Sequence, residues 1–167
     1  MKKTVFLLLL LISLPLAVSS PPPVPEIHLY KGLYFIETGK REEGVRELKK
    51  AAQAKHPESV YNLALCLLQG IGCRKNEAVA VRLLNSAATL GVAEAMYNLG
   101  FCYAEGVGVK KDFSQAVSWW EKAAAAGVAD ALYNLAVCYE HALGVEKNAQ
   151  RARELYGAAA SLGQSKN

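Results

Sequence analysis

Val92–Gly127 reads VAEAMYNLGFCYAEGVGVKKDFSQAVSWWEKAAAAG, and the chain on either side repeats it without a gap. His56–Gly91 is HPESVYNLALCLLQGIGCRKNEAVAVRLLNSAATLG and Val128–Gly163 is VADALYNLAVCYEHALGVEKNAQRARELYGAAASLG, each 36 residues long. A Tyr-Asn-Leu triplet recurs at 61–63, 97–99 and 133–135, a Cys at 66, 102 and 138, a Gly at 72, 108 and 144, and an Ala-Ala pair from 87, 123 and 159. A fixed period in this range marks a stacked array whose units bury their apolar faces only against neighbours. The expected architecture is therefore a stacked array of about four units.

Within each unit the apolar spacing is helical. Ala80, Leu83, Leu84, Ala87 and Ala88 fall at i, i+3, i+4, i+7 and i+8, as do Ala116, Trp119, Trp120, Ala123 and Ala124, so one stripe of each second helix faces a core. Asn76, Asp112 and Asn148 precede these helices and suit N-caps. The first helices, Glu58–Gln69, Glu94–Glu105 and Asp130–His141, are apolar on most sides, as expected of helices packed between neighbours. Gly-x-Gly at 70/72 and 106/108 ends the first two. The third has Ala142 at the first of these positions, which predicts a less tight turn. Gly91, Gly127 and Gly163 are expected to close the second helices. Arg153 stands where Val81 and Val117 stand in earlier units, which suggests a charged outer face and an array complete at four hairpins.

Ahead of the repeats, Met1–Ser20 has a basic start (Lys2, Lys3), an apolar run from Val5 to Leu14 and small residues at Ala17 and Ser19. This is the pattern of a secretory signal peptide, cleaved after Ser19. The run is short for a membrane span and is broken by Pro15, so no membrane insertion is expected after cleavage. The exported product, periplasmic or secreted, would begin with a proline-rich linker (20–25, with PPPVP at 21–25). A degenerate capping hairpin (26–55) follows, then the three repeats (56–91, 92–127, 128–163) and a short tail (164–167). In the capping hairpin one helix runs to about Thr38 and a second from Arg41 to Ala54. Its charges (Arg41, Glu42, Glu43, Arg46, Glu47, Lys49, Lys50) suit a solvated face.

Composition excludes several functions. Removing Lys2 and Lys3 from the 19 basic side chains leaves 17 against 15 acidic ones, a net +2 without clustering, so no nucleic-acid partner is expected. The three His (28, 56, 141) lie in different units without metal-ligand spacing, and no metal or cofactor is expected. No S-x-x-K, K-T-G or G-x-S-x-G motif is present, and no phosphate-binding glycine loop. Cys66, Cys102 and Cys138 share one repeat phase on stacked helices, too far apart to bridge one another. Cys73 is the remaining partner for Cys66. Buried free thiols and a Cys66–Cys73 disulfide both stay open, the first favoured.

The pattern Ala95, Leu99, Gly100, Tyr103, Gly106, Gly108, Val109, Asp112, Ala116, Trp119, Ala123, Ala124, Gly127 resembles the Sel-1-like repeat of the tetratricopeptide superfamily, and three consecutive copies cover 56–163. The resemblance implies an all-α fold, a right-handed α-solenoid of about four helix-turn-helix hairpins, and an adaptor that holds other proteins in assemblies rather than a catalyst. Exported bacterial members are associated with envelope assembly, signalling or host contact. A cysteine-rich secreted branch, linked to penicillin binding and weak β-lactamase activity, supplies the alternative of a weak hydrolase or β-lactam-binding protein. That branch bridges each hairpin with a Cys pair, and the corresponding positions here hold Val60 and Ala88, Met96 and Ala124, Leu132 and Ala160.

The candidate site is the ladder Asn62, Asn98 and Asn134, with Gln69, Glu105 and His141 two turns further along the same helices. An Asn at this phase can hydrogen-bond both N–H and C=O of an extended peptide in a groove lined by the first helices. The competing reading is that each amide bonds a neighbouring helix's backbone and stabilises the stack. Trp119 and Trp120 read as core because their counterparts, Leu83/Leu84 and Leu155/Tyr156, are core positions. Lys75, Lys111 and Lys147 read as solvated loop residues near helix C-termini. The expected molecule is a monomer that binds an unidentified protein or peptide, with no catalytic residues.

Overall fold

The computed structural model describes residues 23–164, and eight α-helices without a strand occur among them. They are α1 Val24–Glu37, α2 Arg41–Gln53, α3 Pro57–Gln69, α4 Glu77–Thr89, α5 Ala93–Glu105, α6 Phe113–Ala125, α7 Ala129–His141 and α8 Ala149–Gln164. The expected signal peptide and the last three tail residues lie outside the described residues. Val24 and Pro25, expected to be extended linker, instead open α1. Proline is accommodated in a first helical turn because the N–H it lacks would have no intrahelical acceptor there. The fold is an all-α repeat solenoid whose chain divides after Lys75 into two compact units.

In the first unit α1 packs on α2 and α2 on α3. The α1–α2 crossing is set by two glycines. A Cβ on Gly44 would lie 2.6 Å from the Gly32 carbonyl oxygen, and one on Gly32 would lie 2.9 Å from Leu48 Cγ. Leu29, Val45, Leu48 and Ala51 form the core beside this contact. Glu47 corrects the expectation of a wholly solvated charged face, because it is buried. Its carboxylate bridges two helices, with Oε1 accepting from Lys50 Nζ at 2.7 Å and Oε2 lying 2.6 Å from His28 Nδ1 on α1. The Lys50 hydrogen bond, reinforced by His28 and opposed by burial, holds this carboxyl below its ordinary range.

In the second unit each helix from α4 to α8 packs on the next. The core joins Ala104, Ala116, Val117, Trp120, Ala123, Ala131, Leu135, Ala136, Cys138 and Leu155. Trp120 lies flat over Gly100, where a Cβ would come within 2.4 Å of the indole, and its Nε1 donates to the Tyr97 carbonyl at 3.2 Å. Trp119 is half-buried beneath Lys122, whose Nζ is 4.0 Å from the ring centroid. The three N-caps form as expected: Asn76 accepts from Val79 N–H at 3.0 Å, Asp112 from Ser114 and Gln115 N–H, and Asn148 from Arg151 N–H at 2.9 Å. Arg153 is exposed while Ala152 and Leu155 are buried.

Helix α7 ends differently from the expectation. Ala142 takes the same left-handed cap, φ 57°, as Gly70 and Gly106, with φ 73° and 76°. The following N–H closes on the cysteine carbonyl as in the other copies: Leu143 to Cys138 at 3.0 Å, Val107 to Cys102 at 2.9 Å and Ile71 to Cys66 at 3.0 Å. The turn is equally tight, and the cost of a side chain in this conformation is borne at Ala142. Gly163 does not close α8, which continues through Gln164. All four cysteines are free, with Cys66, Cys102 and Cys138 buried and Cys73 half-buried.

Two stability changes follow. Ala142→Gly removes the left-handed strain and should stabilise the chain by about 0.5–1 kcal/mol, read as a rise in thermal midpoint. Glu47→Gln should cost about 1 kcal/mol at pH 7. A depressed folded pKa contributes stability above the unfolded value and loses it as pH falls through the folded one. The gap between the two proteins in urea titrations should therefore narrow as pH drops below about 4.

Candidate functional site

Residues four, seven and eleven positions apart lie on one face of a helix. On α5 this face carries Glu94, Asn98, Phe101 and Glu105, on α7 Asp130, Asn134, Val137 and His141, and on α3, within the first unit, Glu58, Asn62, Leu65 and Gln69. In the second unit the faces of α5 and α7 border a cavity of about 260 Å³, lined by Phe101, Ala104 and Glu105, by Phe113 and Trp120 of α6, and by Asn134, Val137, Cys138 and Leu143. Ala104, Trp120 and Cys138 are buried, so they form its base. Phe101 is 48% exposed. Most of the lining is hydrocarbon, and polar groups enter through the Asn134 amide and the Glu105 carboxylate.

The structure separates the sequence candidates. Asn134 and Glu105 meet at this cavity, on two different helices. Asn62 and Asn98 are half-buried, and each turns its Nδ2 back to its own helix, donating to the Glu58 carbonyl at 2.7 Å and to the Glu94 carbonyl at 2.9 Å. Each of these bonds stays within one helix. They tie the side chain to the preceding turn, one of the local patterns available to Asn within a helix. Gln69 is exposed at the end of α3. His141, also exposed, ends α7 with Nε2 3.9 Å from Glu140 Oε2.

Phe101, Val137 and Leu65 were not among the sequence candidates. They occupy the phase between the Asn and the last-turn residue, on helices whose apolar character extends around most of the circumference. The available signal was their position three residues after each ladder Asn, which puts them on the face already singled out. Lys111, read as a solvated loop residue, places Nζ 4.9 Å from the ring centroid of Phe113, one of the cavity residues. Burial pushes the Cys138 thiol beneath the cavity up to about 11, which leaves it a small apolar surface at neutral pH. Among the described residues no group of three or more His, Cys, Asp or Glu is placed to hold a metal ion.

Hairpins of constant length, each exposing the same face of its first helix, define a helical-repeat protein of the kind that generally mediates protein–protein interactions. Sel1 repeats match residues 57–92, 93–128 and 129–164, more than half of the chain, and the chain belongs to the Sel1 repeat family. It is similar in structure to a Sel1 repeat protein from Oxalobacter formigenes, at 29% identity and a TM-score of 0.79 over 93% of this chain and 63% of that one. It is also similar to c5321, a protective antigen with an SLR fold present in uropathogenic Escherichia coli strains, at 28% identity and a TM-score of 0.79 over 83% of this chain and 31% of that one. The chain thus spans less than two thirds of either relative. Cysteine rich protein B of Helicobacter pylori shares the fold alone, at 21% identity and a TM-score of 0.52 over 86% of this chain and 94% of that one. No curated protein matches the chain significantly.

The exposure of Phe101 against the burial of Trp120 gives a direct contrast. Phe101→Ala should change stability by less than about 1 kcal/mol, whereas Trp120→Ala should cost about 3–5 kcal/mol, both measured by chemical denaturation.

Proposed function

We propose that this protein is an exported interaction adaptor that takes a peptide or partner helix along the exposed face of its first helices. The observation that carries this reading is the cavity between α5 and α7. An aromatic ring left half in water, beside an apolar recess with an amide and a carboxylate at its edge, is the form of a pocket that anchors one side chain of a partner. Its volume of about 260 Å³ suits a single bulky side chain. Asn134 is placed to bond a main chain entering beside that anchor. Asn98, Asn62, Gln69 and His141 extend the polar side of the face on their own helices. The basic start, apolar run and small residues of Met1–Ser20 support export to the periplasm or the exterior. Among the described residues no helix is long and apolar enough to cross a membrane.

A photo-crosslinking amino acid at position 101, introduced in the cell of origin, should capture a defined partner that the same group at exposed Glu121 does not. Asn134→Ala and Phe101→Ala should weaken binding of that partner about 10–100-fold, the loss of one anchor. Equal capture from both positions, or affinity unchanged in both variants, would sink this reading.

A further inference from the structure

The loop after α3 differs from its two sister loops at the position where Val109 and Val145 stand, because the earlier copy has Cys73. Only there does a second thiol come round to face the cysteine shared by all three repeats. Cys66 lies in the last turn of α3, and its carbonyl closes that helix by accepting the N–H groups of Gly70 and Ile71. Gly70 and Gly72, at φ 73° and 63°, fold the chain back over this end. Cys73 is thereby delivered onto the same carbonyl, its Sγ donating to the Cys66 oxygen at 3.6 Å. The two thiols also differ in access, since Cys66 is buried and Cys73 is half-exposed.

We infer that Cys66 and Cys73 are an oxidation site, closing into an intramolecular disulfide that staples the α3 turn when the protein meets a disulfide oxidant such as oxidised glutathione. The accessible Cys73 gives up its proton and attacks one oxidant sulfur, and that S–S bond breaks to release one glutathione, which takes up a proton. Cys66 then loses its proton to solvent and attacks the Cys73 sulfur of the mixed disulfide, expelling the second glutathione as its thiol. Two protein thiols are oxidised, and the oxidant disulfide is reduced to two thiols. Burial, with a smaller contribution from neighbouring Cys73, pushes the Cys66 thiol up to about 11, so closure is slower than the first exchange. Such a bond has the character of a structural staple rather than a rapidly cycling redox pair. Cys102 and Cys138 are buried and have valine rather than a second thiol at the corresponding loop position, so they stay reduced.

The test uses the folded full-length protein with excess oxidised glutathione, followed by acid quench, alkylation in denaturant and tryptic mapping. Cleavage after Lys55 and Arg74 leaves both cysteines in one peptide, His56–Arg74. That peptide should lose the mass of two hydrogens and resist alkylation, while the Cys102 and Cys138 peptides alkylate fully. Cys66→Ser should instead hold a glutathione on Cys73. Cys73→Val, the residue of the sister loops, should keep the helical signal and leave Cys66 free of both bridge and adduct. The bridged protein should melt roughly 5 °C above its reduced form, from closure of a short loop. A stable glutathione adduct on wild-type Cys73 without the internal bridge, or bridging only after urea denaturation, would overturn the assignment.

Discussion

The contact on which the repeat depends is one of backbone against backbone. After each first helix of the repeats, the loop glycine at 72, 108 or 144 rests on the opening residues of the second helix of the preceding hairpin. In the second unit a Cβ on Gly108 would lie 2.5 Å from the Glu77 carbonyl, and one on Gly144 would lie 2.4 Å from the Phe113 carbonyl carbon. In the first unit Gly72 meets Arg41 in the same way, at 2.2 Å. No side chain fits such a gap, and the positive φ at these positions independently favours glycine. Because the contact joins loop and helix start directly, it sets, within each unit, how close a first helix's closing loop lies to the second helix before it. Apolar burial then fills a spacing that the backbone has already imposed.

This division of labour explains what could be read from the chain. Helices, caps and the repeat period follow from local rules: the Asn and Asp N-caps, the glycine ends and the 3.6-residue apolar stripes are all expressed within a few residues of where they act. What escaped depends on a neighbour distant in sequence. Glu47 reads as one more charge on a solvated helix until His28 arrives from α1. Ala142 reads as a weak helix end, yet the loop contact at Gly144 and the hydrogen bond to the Cys138 carbonyl hold it in the left-handed region. Gly163 has the composition of a helix stop, but Gln164 follows it where Val92 and Val128 follow Gly91 and Gly127, and α8 runs past it.

The candidate site shows the same limit. The sequence marks one face of each first helix through the Asn ladder and the last-turn residues, and on α5 and α7 Glu105 and Asn134 border one cavity. It gives no means of telling an amide that bonds its own helix from one that borders an opening, because Asn98 and Asn134 stand in nearly identical local sequence. Nor does it distinguish Phe101 from the apolar residues around it. The difference lies in which helices flank each position, and that is a property of the stack.

The paired tryptophans acquire a practical meaning from their placement. Both indoles of the chain sit side by side on α6, one flat against Gly100 and bonded to the Tyr97 carbonyl, the other partly in water under Lys122. Fluorescence excited at the red edge of the tryptophan band, where Tyr30, Tyr34 and Tyr61 of α1 and α3 no longer absorb, therefore reports the second unit alone. Far-ultraviolet dichroism, in contrast, counts the helices of both units. Superposing the two signals during denaturation would show whether a chain built from near-identical pieces melts as one cooperative body or loses its ends first, a question that bulk helicity alone would average away.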